Sequence, residues 1–172
     1  RVLLIALFIM LLSGVIHVNA ATIVSSDSSK KLKAEYSDDY FYQSAEKESD
    51  YLSKLSLVAS DAAYKDSDAF LRSCGFRNVR TETIVKNADP MDKTLPHPIK
   101  VTFGYKNIAS YDLYAIVVRG TVGAAEWVSN FDLSSLEMDR ANQFVIPAKN
   151  IMSSFNKYKE KYYTSKSKTK VW

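Results

Sequence analysis

The strongest constraint on the fold of this chain is a continuous apolar, β-branched run, Leu113-Tyr114-Ala115-Ile116-Val117-Val118, that stops abruptly at Arg119-Gly120-Thr121-Val122-Gly123. An unbroken apolar run of this length reads as a strand covered on both faces rather than one. The glycines that follow let the backbone turn sharply and expose its amide groups. Ala124-Ala125-Glu126-Trp127-Val128 then forms a helix-competent segment carrying a tryptophan. A buried strand that opens through a tight turn onto a helix is how open α/β sheets bring chemistry to their strand ends. The expected fold class is therefore α/β.

The string Ala115 to Thr121, followed by Glu126-Trp127-Val128-Ser129-Asn130-Phe131, resembles the Arg-Gly-Thr and tryptophan signature of class 3 lipases, the fungal-lipase-like α/β-hydrolases. The resemblance runs from roughly Ser49 to Trp172 and is closest over 113 to 131; Val118 stands where that family more often has Phe. It implies the N-terminal half of an α/β-hydrolase fold: a mixed, mainly parallel sheet with flanking helices, here incomplete. It also implies that Thr121 supplies an oxyanion-hole donor through its backbone amide and hydroxyl. Val122, Ala125, Trp127 and Val128 would form the apolar, substrate-facing side of a lid, with Arg119 and Gly120 structural at the turn. The implied substrate is a carboxylic ester, an acylglycerol, met at a lipid interface. The implied chemistry uses no cofactor and no metal.

The start of the chain sets the expected location. Arg1 precedes the apolar stretch Val2 to Leu12, and Val18-Asn19-Ala20 closes it with small residues at the right spacing. A charged start, an apolar core and a small-residue exit describe a signal peptide over 1–20, cleaved near Ala20/Ala21. Secretion is the expectation. A membrane anchor over Val2 to Ile16 is the rival, but that run is short beside the ~20 apolar residues a span needs.

The one cysteine, Cys74, excludes an intrachain disulfide and reads as a small buried hydrophobe. The composition, 47% hydrophobic and 24% charged, is that of a chain with a packed core. Removing residues 1–20 leaves 22 basic and 19 acidic residues, a net +3 that is too mild to imply a nucleic-acid partner. The lysines from Lys157 to Lys170, interleaved with Tyr158, Tyr162 and Tyr163, read as a solvated helix face. Peripheral contact with lipid follows from the implied substrate alone.

Residues 21–48, rich in serine and lysine, read as a polar tail or linker ahead of a domain over 49–172. Tyr51, Leu52, Leu55, Val58, Ala59 and Ala62 follow a helical period over Ser49 to Tyr64, with Ser49 or Asp50 as N-cap. Ser67 to Cys74 reads as a second helix with Gly75 at its C-terminal cap. Phe76 to Val85 and Ile99 to Lys106 read as strands, joined by a proline-bearing loop. The short connection at Asn107 to Ser110 predicts an antiparallel pair with the central strand. Asp132 to Gln143 reads as irregular. Pro147 fits the first turn of a last helix, whose apolar stripe runs through Ala148, Ile151, Met152, Phe155 and Tyr158. Lys170-Val171-Trp172 reads as the first residues of a further strand.

Serine-based ester hydrolysis needs a nucleophile, a histidine base, an orienting acid and oxyanion donors. The glycines at 14, 75, 104, 120 and 123 include no pair four apart, so there is no Gly-x-Ser-x-Gly elbow. His17 lies in the signal segment, and His97 stands between two prolines upstream of the central strand. The expectation is a portion of a secreted ester hydrolase that holds the oxyanion side and is inactive alone, its reading frame continuing into the elbow. The alternative is a secreted non-catalytic binding or surface module built on the same half-fold.

Overall fold

The computed structural model describes residues 21–44, 46–85, 98–109, 111–120, 139–163 and 168–172. Its centre is a mixed four-stranded sheet ordered β3-β4-β5-β6. The strands are β3 (Arg77–Val85), β4 (Pro98–Ile108), β5 (Tyr111–Val118) and β6 (Lys168–Val171). The first two pairings are antiparallel and β5 with β6 is parallel, so among the described strands the sheet is mixed but mainly antiparallel, where a mainly parallel one was expected. The expected hairpin between β4 and β5 is present, in register from Ile108 with Tyr111 to Val101 with Val118. Ala109 turns that corner in the left-handed region at φ 48.

Helices cover both faces of the sheet. On one face lie α1 (Asp50–Tyr64) and α2 (Ser67–Ser73). The Ser49 hydroxyl caps α1 by accepting from the Leu52 amide, and Asp66 caps α2 by accepting from Ala69. Past α2, Gly75 takes φ 79 and lets the Phe76 amide bond back to Leu71. The α1 stripe read from the sequence is the buried one: Leu55, Val58, Ala59 and Ala62 pack with Phe70, Leu71, Leu113, Ala115 and Val117. On the other face, α3 (Asp139–Tyr162) sets Phe155 and Tyr158 on Val101, Phe103 and Tyr114. Odd positions of β5 thus face one core and even positions the other, which is why its sequence carries an unbroken apolar run.

Two further expectations are corrected. Residues 21–48 are not a coreless tail. Within them β1 (Thr22–Ser25) and β2 (Lys33–Tyr36) form an antiparallel hairpin, and a short 3-10 turn follows at Asp38–Phe41. Val24, Ala34, Tyr36 and Phe41 from this segment are buried in the α1-side core. Polar composition hid them because only alternate residues of each four-residue strand point inward. The last helix also begins at Asp139, so residues 139–143 are helical rather than irregular. Pro147 stands inside the helix, where it withholds one backbone hydrogen bond.

Of the aromatic residues among the lysines from Lys157 to Lys170, Tyr158 and Tyr162 pack inward while Tyr163 is exposed. Tyr158 is buried and donates its hydroxyl to the Asn78 carbonyl at 2.9 Å, and Tyr162 stacks on Tyr105 with ring centroids 5.9 Å apart. Their rings belong to the core, while Lys157 and Lys161 face solvent. Cys74 is free and 1% exposed, as its single occurrence led one to expect.

Candidate functional site

The site is built at the carboxyl end of β5. The Arg119 amide donates to the Lys100 carbonyl at 2.9 Å, extending the β4 ladder one residue beyond the strand. Arg119 is half-buried and Gly120 is exposed, both just past the end of the strand. β6 runs beside the first half of β5, Tyr111 to Tyr114, and Trp172 continues its direction: the Trp172 amide donates to the Tyr114 carbonyl and its carbonyl accepts from Ile116, both at 2.8 Å.

Trp172 fixes this corner. Its ring lies among Phe41, Phe70 and Phe76, with centroids 5.6, 6.4 and 6.1 Å away. Its indole N–H donates to Ser56 Oγ of α1 at 3.0 Å. Buried indoles need such a partner, so one polar contact orients a large apolar group. Between α1, the end of β5 and this indole lies a cleft of about 190 Å³. Ser56, Ala59 and Ser60 line one side, Ile116, Val117 and Val118 another, and Trp172 the third. The lining is mainly apolar with two hydroxyls, a surface suited to an apolar group carrying few polar atoms. Val118 is 44% exposed at its rim.

A cluster behind the cleft holds the N-terminal segment to the sheet. Lys106 Nζ of β4 reaches Asp38 at 2.7 Å, the Tyr36 hydroxyl at 3.3 Å and the Cys74 carbonyl at 3.0 Å. Burial, with the Asp38 carboxylate beside it, pushes the Tyr36 phenol far above its ordinary value. Burial also pushes the Cys74 thiol up to about 12, against the opposing pull of the Ser73 hydroxyl and Lys106. A thiol held protonated is a poor nucleophile, so Cys74 serves packing. Lys170 of β6 adds a second tie, donating to the Phe41 carbonyl and, at 2.8 Å, to the Gln43 carbonyl.

Of the site residues read from the sequence, Arg119 and Gly120 stand where expected, at the end of the central strand. Thr121, Val122, Ala125, Trp127 and Val128 lie outside the described residues, as do His17 and His97. The sequence reading passed over Ser56, Ser60 and Tyr64. They repeat every four residues along α1, a spacing that marks one stripe of a helix, but their hydroxyls made them look like its solvent side. Comparison with protein-family models, with curated proteins and with solved structures returned no match for this chain.

Proposed function

We propose that this chain is the oxyanion-hole portion of a secreted carboxylic-ester hydrolase of the class 3 lipase type, acting on acylglycerols. The observation that carries the reading is the carboxyl end of β5: a strand packed on both faces, paired with a parallel strand along its first half, ends at the rim of a mainly apolar cleft just before Arg119-Gly120. Open α/β sheets gather ligands at the carboxyl ends of their strands. The Arg-Gly-Thr string at that position supports the family assignment.

In this reading a serine supplied by the parent reading frame attacks the ester carbonyl carbon. The carbonyl π electrons move onto oxygen, and the Thr121 amide donates to the resulting oxyanion. A histidine takes the serine proton and passes it to the departing alcohol. Water then cleaves the acyl-enzyme by the same steps. Val122, Ala125, Trp127 and Val128 act as a lid whose apolar face is exposed favourably only at a lipid surface.

The test is hydrolysis of tributyrin by the secreted product of the complete reading frame, below and above the solubility limit of the ester. The expected result is turnover that rises when emulsion droplets form, together with one covalent adduct from a fluorophosphonate probe. Absence of both contradicts the proposal. It would favour the second reading, a secreted non-catalytic module, to which the lack of an elbow among these glycines also points.

A further inference from the structure

Among the described strands of the sheet, β6 has the least support of its own. It is four residues long, pairs only with β5, and exposes three of its four side chains. A strand that short, bonded along one edge, holds its place weakly without help from elsewhere. The help comes from residues 38–43, in and just after the turn that follows the β1–β2 hairpin. Lys170 Nζ donates to the Phe41 carbonyl and, at 2.8 Å, to the Gln43 carbonyl, and it stands 4.6 Å from the centre of the Tyr111 ring. Tyr42 lies against that same ring, with centroids 6.4 Å apart. Phe41 meets the Trp172 ring edge-on at 5.6 Å. One short segment thus engages β6 in its middle, the β5 residue beside its start, and the tryptophan at its end.

The segment is gripped in turn from a different strand. Lys106 of β4 reaches Asp38 at 2.7 Å, in a pair whose side chains are only 13% and 17% exposed. Lys106 also holds the Tyr36 hydroxyl and the Cys74 carbonyl. Sheltered hydrogen bonds to a charged group are stronger than exposed ion pairs. Asp38 and Phe41 open and close the same single turn. Loosening the turn at Asp38 therefore loosens the carbonyls that Lys170 grips and the ring that meets Trp172, although Asp38 itself touches no residue of β6 in the contacts described.

We infer that residues 38–43 are a strap whose docking seats β6, with Lys106–Asp38 as its latch: strap and β6 open together as one unit while β3, β4 and β5 stay paired. The cleft depends on this unit, because Trp172 forms one of its walls. With the strap down the cleft is complete; with the strap released it loses that wall. By linkage, whatever occupies the cleft and the docked strap stabilise each other. The inference does not depend on the hydrolase reading.

The test is native-state hydrogen exchange on the complete protein and its D38N and K170M variants, read by NMR. Two amides report the seating of β6: Trp172, which donates to Tyr114, and Ile116, which donates to Trp172. The amides that join β4 to β5 are the internal reference. The expected result is that both variants exchange Trp172 and Ile116 about tenfold faster or more, by similar factors, with the reference amides unchanged. D38N decides the matter because it acts on β6 only through the strap. Parental rates at Trp172 and Ile116 in D38N overturn the inference even if K170M accelerates them, since Lys170 would then serve its own strand alone. Equal acceleration of the reference amides also overturns it, because β6 would then open only with the rest of the sheet.

Discussion

At the scale of single residues, the α1-side core is built around groups that are kept neutral. Cys74 is the clearest. Its thiol ionises ordinarily near 9.0, and burial raises it to about 12. Tyr114, under α3, is likewise pushed up to about 12 from 10.0, by burial first and then by the Asp112 charge. The sign of the linkage follows. Below pH 9 both states of the protein hold the thiol proton, and Cys74 contributes no pH dependence. Above it the unfolded chain releases the proton while the folded one retains it. Stability therefore falls as pH rises from about 9 toward 12, by at most about 1.4 kcal/mol per pH unit for each such group. Denaturant midpoints should drop between pH 9 and pH 11, and Cys74→Ala should make that drop shallower. Equal slopes in the two proteins would contradict the assignment. The single cysteine in the sequence made this burial legible; the stripe of hydroxyls on α1 was not, because nothing local distinguishes a solvent-facing serine from one facing a cleft.

At the scale of elements, long periodic segments were readable and short ones were not. The α1 stripe, the β4–β5 hairpin and the double-sided β5 each repeat their signal over eight residues or more. The β1–β2 hairpin offers four residues per strand, and its core contacts depend on partners far along the chain. Lys106 and Lys170, on separate strands, hold the following turn by its carboxylate and carbonyls. Pro147 misled because a helix begins favourably with proline, yet packing of the α3 face on the sheet outweighs one lost backbone bond. The contribution of this N-terminal segment can be measured at Phe41 in the turn after the hairpin, which is 5% exposed and meets Trp172 edge-on. Phe41→Ala should destabilise the protein by about 3 kcal/mol in chemical denaturation. A polar tail would give a change within about 0.5 kcal/mol, and that outcome would contradict the packing described here.

At the scale of the whole molecule, three layers converge on one corner. The N-terminal hairpin and α1 lie on one face of the sheet, α3 lies on the other, and the parallel pair β5 and β6 directs both strand ends to the same side. Trp172 joins the layers there through its ring contacts and its bond to Ser56. The resulting junction holds Arg119 and Gly120 at the edge of a cleft. The strand and its antiparallel partner were legible in the sequence; the cleft was not, since it forms only when α1, β5 and Trp172 meet across more than a hundred residues. The account stands on the claim that the amide after Gly120 stabilises an oxyanion. Proline at that position removes the amide hydrogen, so the most direct measurement is kcat for p-nitrophenyl ester hydrolysis by the complete protein and its Thr121→Pro variant, with Tm determined for both. The account predicts an active parent and a variant slower by about 100- to 1,000-fold at a similar Tm; an inactive parent, or a variant that keeps the parent's rate, would contradict it.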